Sequence, residues 1–240
     1  MKKALLIGIN YVGTGHELGG CWNDVKNASA FLGGRGYTIT QMMTDEPHNK
    51  GTHNEPTCAN IRRALAVFAS DASAGDKLFF HYSGHGGSVR DRGGDESDRL
   101  DECIYPCDGG QIIDDDLYTL LCASLPQGVT LFAVLDCCHS GSGLDLPWRY
   151  LPGGRKIKES KNTLSADVFS ISGCKDDQTS GDLGIGGVLT INLLKILRRG
   201  TNNMRWQDLI QVLQYETRGY AQIPQLSVSS LGLCKGQVQI

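Results

Sequence analysis

Apolar and polar positions follow two alternating patterns along the chain, and together they predict strands that alternate with helices. Short apolar runs bounded by Gly, Asn or Asp predict buried strands, and longer amphipathic stretches predict helices. Strands are predicted near 2–10, 37–43, 77–82, 129–135 and 167–172, and helices near 23–32, 58–69, 114–123, 188–199 and 204–218. This order favours an α/β fold in one domain, with a mostly parallel central sheet flanked by helices.

A polar stretch rich in Gly and Lys interrupts this order after the fourth predicted strand. Residues 147–164 are predicted to form an exposed loop. The chain is therefore divided into a first region, 1–146, the loop, 147–164, and a second region, 165–240.

Composition narrows the class of protein without identifying it. The 240 residues are 40% hydrophobic and 20% charged, enough for one well-buried domain. The net charge is −3, and there is no basic stripe, so nucleic acid is not an expected partner. The first apolar run, Ala4 to Ile9, is too short for a signal peptide or a membrane span, which predicts an intracellular, cytoplasmic protein. The nine cysteines show no framework pattern and are expected to be mostly free thiols.

Two motifs follow predicted strands, YSGHGG at 82–87 and DCCHSG at 136–141. They place His85 and Cys138 just beyond two strand ends, at the edge of a parallel sheet where active sites collect. A cysteine needs a base to form its thiolate, and the resulting imidazolium can protonate a departing amine. The N–H groups of Gly86 and Cys138 are candidates for binding the oxyanion. The motifs therefore predict peptide hydrolysis by a Cys-His pair.

These motifs resemble those of the metacaspases, which are caspase-like cysteine peptidases. The resemblance also includes GGCWNDVKNA at 19–28, GDESDRLDE at 94–102, IIDDDL at 112–117, SGCKDDQTSGD at 172–182 and QIPQLS at 222–227. It implies a caspase-like fold with a large-subunit region before a small-subunit region, and a monomer. It also selects Cys138, directly before His-Ser-Gly, as the nucleophile and leaves Cys137 packed or accessory. Because the chain starts close to its first strand, a prodomain is expected to be absent or to have been removed.

In caspase-like peptidases the segment that corresponds to 147–164 joins the two subunit regions, and some members cut themselves there. The candidate self-cleavage residues are Arg149, Arg155, Lys156, Lys158 and Lys161. An ordinary solvated loop remains the alternative for this segment.

The resemblance further implies cleavage of protein or peptide substrates after Arg or Lys. The residues that match the specificity pocket are Cys21, Asp24, Ser83 and Asp136. Carboxylates in a cleft would select a basic side chain. The alternative for Asp24 is a cap or a first-turn acid at the start of the first helix, a role without a ligand.

Acidic residues from several predicted loops form a second set, and calcium favours such hard oxygen ligands. The set does not form an EF-hand, because Glu96 stands where that motif needs glycine, counted from Asp91. Resemblance to calcium-dependent metacaspases implies that Asp98, Asp114, Asp115 and Asp145 bind calcium as an activator. A solvated acidic surface is the alternative.

Three other functions are weighed against the active peptidase. Zinc binding is disfavoured because the His and Cys spacings do not suit a structural site. A caspase-like scaffold without catalysis would tolerate a substituted dyad, whereas His85 and Cys138 are both present. A paracaspase, a related caspase-like peptidase, would not need the aspartates assigned to calcium.

Overall fold

In a computed structural model, residues 1–90, 100–137, 143–151, 154–174, 186–201, 203–220 and 222–240 are described. The strands are β1 (Lys2–Gly8), β2 (Thr38–Thr44), β3 (Lys77–Ser83), β4 (Gly86–Arg90), β5 (Leu100–Ile104), β6 (Ile112–Ile113), β7 (Thr130–Asp136), β8 (Trp148–Tyr150), β9 (Lys156–Lys158), β10 (Asp167–Cys174) and β11 (Ile223–Val228). The α-helices are α1 (Cys21–Gly33), α2 (Cys58–Ser70), α3 (Asp114–Leu117), α4 (Val188–Arg199) and α5 (Trp206–Thr217). A π-helical segment, Tyr118–Cys122, continues α3, and Pro47–Asn49 and Leu231–Lys235 are short 3-10 helices.

The main sheet has eight strands in the order β2-β1-β3-β7-β10-β11-β8-β9. Strands β2, β1, β3, β7 and β10 run parallel, whereas β11, β8 and β9 join by antiparallel pairing. The predicted α/β fold with a mostly parallel sheet is confirmed. A small antiparallel sheet, β4-β5-β6, follows directly after β3.

Helices cover both faces of the main sheet, which explains why its central strands are apolar on both sides. Alternate strand residues lie in two separate cores: Leu5 and Phe80 face the core that includes α2, whereas Leu6 and Phe79 face the core that includes α1, α4 and α5. This alternation decides which side chains reach α1 and α4 near the sheet edge. Among the described residues, no helix is long and apolar enough to cross a membrane.

The predicted exposed loop at 147–164 is the main error in the predicted elements. It contains β8 and β9, which form an antiparallel hairpin on β11. The Arg149 guanidinium lies between Glu159 and Gln225, at 2.5 and 2.8 Å, and the amines of Lys156 and Lys158 lie over the rings of Tyr150 and Trp148. Three-residue strands are too short for a clear period in the sequence, and their pairing partner is distant in the chain.

This hairpin distinguishes between the predicted self-cleavage residues. Arg149, Lys156 and Lys158 lie within paired strands, whereas Arg155 and Lys161 are exposed and lie outside them. A peptidase binds an accessible, unpaired segment more readily than one paired in a sheet. Because the Arg155 carbonyl accepts the Leu151 N–H at 2.7 Å across the hairpin, Lys161 is the better placed of these two.

Candidate active site

The carboxyl ends of β3 and β7 lie side by side. Ser83 pairs with Asp136 in the parallel register, and the Gly84 N–H donates to the Asp136 carbonyl at 3.3 Å. His85 follows Ser83 by two residues, as Cys138 follows Asp136. Cys138 itself lies outside the described residues. Cys137 is buried in the core on the α2 side, in agreement with the expectation that it is packed.

Two buried tyrosines hold the backbone of His85. The Tyr11 hydroxyl accepts the His85 N–H at 2.9 Å, and the Tyr82 hydroxyl donates to the His85 carbonyl at 2.7 Å. The Tyr11 ring also lies against the imidazole, with ring centroids 4.6 Å apart. Glycine is required at position 84, since a Cβ there would lie 2.7 Å from the Tyr82 hydroxyl and 2.9 Å from that of Tyr11. The histidine is therefore fixed at both its backbone and its ring.

A backbone carbonyl sets the tautomer of His85. Its Nε2 lies 2.7 Å from the carbonyl oxygen of His16. Because a carbonyl only accepts hydrogen bonds, Nε2 carries the proton in the neutral ring. The lone pair of neutral His85 is therefore on Nδ1, which is the nitrogen able to accept a proton.

Tyr11 has a left-handed backbone, with φ of 53°, that is unusual for a residue with a side chain. The Asp45 carboxylate stabilises it by accepting the N–H groups of Asn10 and Tyr11, at 2.8 and 2.6 Å, and the indole N–H of Trp22, at 2.6 Å. Tyr11, Asp45 and His16 are not predicted from the sequence. The available signal was position, because Tyr11 lies three residues beyond the end of β1, the strand next to β3.

We expect Tyr11→Phe to lower kcat by about tenfold, with a smaller effect on KM, because the His85 N–H loses its acceptor. Burial raises the pKa of Tyr11, so its hydroxyl stays neutral and donates to the Tyr105 carbonyl at 2.7 Å. Steady-state kinetics on a reporter peptide would measure this change. Tyr150→Phe, which removes a hydroxyl far along the sheet, is the matched control. Equal kcat values for all three proteins would exclude this role of Tyr11.

The predicted oxyanion donor Gly86 lies at the start of β4. The Tyr105 N–H donates to the His85 carbonyl, so Gly86 and Ile104 form a non-hydrogen-bonded pair of the antiparallel ladder. In such a pair the N–H points away from the partner strand. The Gly86 N–H is thus not used by β5.

The four residues predicted to bind substrate line one small cavity of about 30 Å³. Cys21, Asp24, Ser83 and Asp136 share its wall with Leu18, Gly20, Gly84, Gly187, Val188 and Gln222. The structure thus brings together residues from α1, β3 and β7. Gln222, whose buried Oε1 has no hydrogen-bond partner among the described residues, is a lining residue that the sequence analysis did not identify.

Asp24 is an acidic residue in the first turn of α1, whose N-cap is Gly20, so the first-turn position is confirmed and the capping role is not. Its carboxylate accepts the Ser83 hydroxyl at 2.7 Å and the Gly187 N–H at 2.9 Å from each oxygen. Glycine at 186 permits this approach, because a Cβ there would lie 2.5 Å from the carboxylate and the backbone φ is +149°. The carboxylate is therefore directed into the cavity wall between α1 and α4.

Asp136, also in this wall, is held by the first turn of α4. Its Oδ2 accepts the Thr190 N–H at 2.9 Å and the Thr190 hydroxyl at 2.8 Å. Burial raises the pKa of Asp136, and the two bonds from Thr190 act in the opposite direction. The cavity therefore contains two buried carboxylates, each bonded to a main-chain N–H near the start of α4.

The predicted calcium ligands are only partly brought together. Asp114 is buried at the start of α3 and accepts the N–H groups of Glu102 and Asp115, at 3.2 and 3.1 Å. Asp145, also buried, accepts the side-chain amide of Asn162.

Burial raises the pKa of Tyr118, the residue after α3, and the charges of Cys122 and Asp145 raise it further. Asp145 therefore lies near the end of α3. Asp98 lies outside the described residues. Among the residues described, no group of three or more His, Cys, Asp or Glu side chains is arranged to hold a metal ion. The donors fit calcium as hard oxygen ligands, but these residues alone do not complete a site.

Comparison with known proteins agrees with this architecture. A family model described as metacaspase, peptidase C14 domain, matches residues 2–147. The chain is 41% identical to Metacaspase-2 of Trypanosoma brucei brucei, covering 95% of this chain and 73% of the relative. It is 38% identical to Metacaspase-1 of Schizosaccharomyces pombe, covering 95% and 67%. A solved protein from Geobacter sulfurreducens has the same fold, with a TM-score of 0.72, 25% identity and coverage of 98% and 97%. The chain therefore belongs to the metacaspases, a family of cysteine peptidases with the caspase-like fold.

Proposed function

We propose that this peptidase cuts chains after Arg or Lys, with Cys138 as the nucleophile and His85 as its base. The proposal depends on one observation at the edge of the sheet. His85, whose backbone N–H is held by Tyr11, directly follows the strand that supplies Ser83 to a cavity with two buried carboxylates. The strand register also supports the dyad. Ser83 and Asp136 form a register pair, and His85 and Cys138 each follow their member of this pair by two positions.

The proposed reaction uses the tautomer set by the His16 carbonyl. Nδ1 of His85 takes the thiol proton of Cys138, and the thiolate forms a bond to the scissile carbonyl carbon. The N–H groups of Gly86 and Cys138 stabilise the oxyanion. The imidazolium then returns its proton to the departing amine as the C–N bond breaks. Water attacks the thioester with His85 again as the base, which releases the acid and restores the thiol.

Two carboxylates in a buried cavity support the basic specificity. A guanidinium or ammonium group that enters would meet Asp24 and Asp136 in surroundings that weaken competition from water. The Gly187 N–H, bonded to both oxygens of Asp24, would compete with this group for the carboxylate.

Calcium activation is the proposed role of the acidic residues. Asp114, Asp115 and Asp145 would supply hard oxygen ligands, together with Asp98. Asp145 follows the DCCHSG motif closely, so an ion held there would favour one conformation of the chain that carries Cys138. The positive charge of the ion would also offset the repulsion between these carboxylates.

The sheet edge supports a monomer. β11 is paired on both sides, by β10 and by β8, so it does not offer a free edge to a second copy. The outer strand of the hairpin, β9, is three residues long and carries Lys156 and Lys158. Short edge strands with lysines resist pairing with another sheet.

Matched reporter peptides test the reaction and its specificity. The peptides end in Arg, Lys, Asp or citrulline, the last being a neutral analogue of Arg, and are assayed with calcium or with a chelator. We expect cleavage after Arg and Lys that requires Cys138, with Cys138→Ala as the inactive control. Asp24→Asn should reduce kcat/KM for the Arg peptide roughly 10- to 100-fold and change citrulline cleavage little, since one charge-assisted bond is lost.

Different outcomes separate the parts of this proposal. Equal cleavage of Arg and citrulline peptides by the wild type would exclude the acidic pocket but not the dyad. Full activity in the chelator would exclude calcium activation. No cleavage under any condition would favour a caspase-like scaffold without catalysis.

A further inference from the structure

A chain of hydrogen bonds behind the cavity connects three buried side chains from different elements. His81 Nε2 in β3 lies 2.9 Å from the Thr190 hydroxyl in α4, and this hydroxyl lies 2.8 Å from Oδ2 of Asp136 in β7. The exposed fractions of the three residues are 1%, 2% and 7%. Of the three, only Asp136 lines the cavity. Thr190 therefore acts on the cavity only through the carboxylate.

The position of each proton in this series of hydrogen bonds follows from which end group donates and which accepts. An ionised carboxylate only accepts, so the Thr190 hydroxyl donates to Asp136. The hydroxyl oxygen then accepts from His81, whose Nε2 must carry the proton. Burial lowers the pKa of His81 to about 3, so the ring is neutral. Its Nδ1 has no hydrogen-bond partner among the described residues. When Asp136 is ionised, one arrangement of protons satisfies both bonds.

Thr190 also determines which oxygen of Asp136 remains for a ligand. Its N–H and its hydroxyl both donate to Oδ2, at 2.9 and 2.8 Å. The N–H belongs to the first turn of α4, a helix of 12 residues, whose positive end favours the ionised form. Within the described chain, the hydrogen bonds to this carboxylate thus end on Oδ2, and Oδ1 is left for a cation.

We propose that Thr190, oriented by His81, is a positioning residue for basic specificity, which orients the Asp136 carboxylate toward the side chain before the cut. The proposal rests on the proposed cleavage after Arg or Lys. It extends the specificity determinants to two residues outside the cavity, in the first turn of α4 and in β3.

The test compares Thr190→Val, which keeps the shape and removes the hydroxyl, with Thr190→Ser, which keeps the hydroxyl. The measured quantity is the ratio of kcat/KM for an Arg peptide to that for the matched citrulline peptide. This ratio does not depend on the fraction of folded enzyme. We expect Thr190→Val to lower it by about tenfold and Thr190→Ser to restore most of it. Thr217→Val, a buried threonine of α5 whose hydroxyl donates to Leu213, is the matched control.

Failure of this inference can be distinguished from failure of the proposed function. A wild-type ratio near one would overturn both, because there would be no basic specificity to position. A high wild-type ratio that Thr190→Val leaves unchanged would overturn the role of Thr190 alone. An equal fall in Thr190→Val and Thr190→Ser would also contradict it, because the hydroxyl would then not be the cause.

Discussion

Replacing His85 with glutamine is expected to reduce kcat/KM by on the order of 1,000-fold, because a positioned general base contributes at about this level. Glutamine keeps a polar side chain of similar length but has no nitrogen that accepts a proton near neutral pH. The backbone bonds from His85 to Tyr11 and Tyr82 do not involve the side chain and should remain. Initial rates on an Arg reporter peptide, with thermal unfolding measured alongside, would give both quantities.

A matched exchange separates loss of the base from a general effect of removing histidine. His53→Gln changes an exposed residue outside the candidate site and should leave both activity and unfolding unchanged. A rate for His85→Gln within a few-fold of the wild type would show that another group accepts the thiol proton. The assignment of the dyad would then be wrong even if the protein remained a peptidase.

The second large effect is a loss of stability in mild acid caused by His81. Burial lowers its pKa from 6.5 to about 3 in the folded protein. Between these values the unfolded chain binds a proton that the folded protein does not. The contribution of neutral His81 to stability is therefore complete above pH 6.5. Below that, the free energy of unfolding falls as the pH decreases toward 3, by up to about 1.4 kcal/mol per pH unit.

The measurement compares wild type and His81→Gln by urea unfolding at about pH 7 and about pH 5. The free energy of unfolding of the wild type should fall relative to the variant by about 2 kcal/mol across this interval. Asp136 acts with the opposite sign, since its pKa is raised by burial, but it is present in both proteins. Parallel changes in the two proteins would mean that folded His81 binds a proton at about pH 5, so that the ring is not neutral there.

The same residues show why the candidate site was only partly predictable. Cys21, Asp24, Ser83 and Asp136 were found by motif, and the structure brings all four to one cavity. Tyr11, His16, Asp45 and Thr190 carry no motif of their own. Their roles come from contacts between residues far apart in the sequence, such as Tyr11 and His85, 74 positions apart, and His81 and Thr190, 109 positions apart.

By itself the sequence determined the parallel strands β1, β2, β3, β7 and β10, the helices that alternate with them, and the two strand ends that carry His85 and Cys138. These features depend on local periodicity and on short motifs, which involve only residues close together in the sequence. The tertiary structure alone decided the tautomer of His85, the hairpin of β8 and β9, and the contact of Thr190 with Asp136. Each of these depends on a hydrogen bond or strand pairing whose geometry exists only after the sheet has assembled.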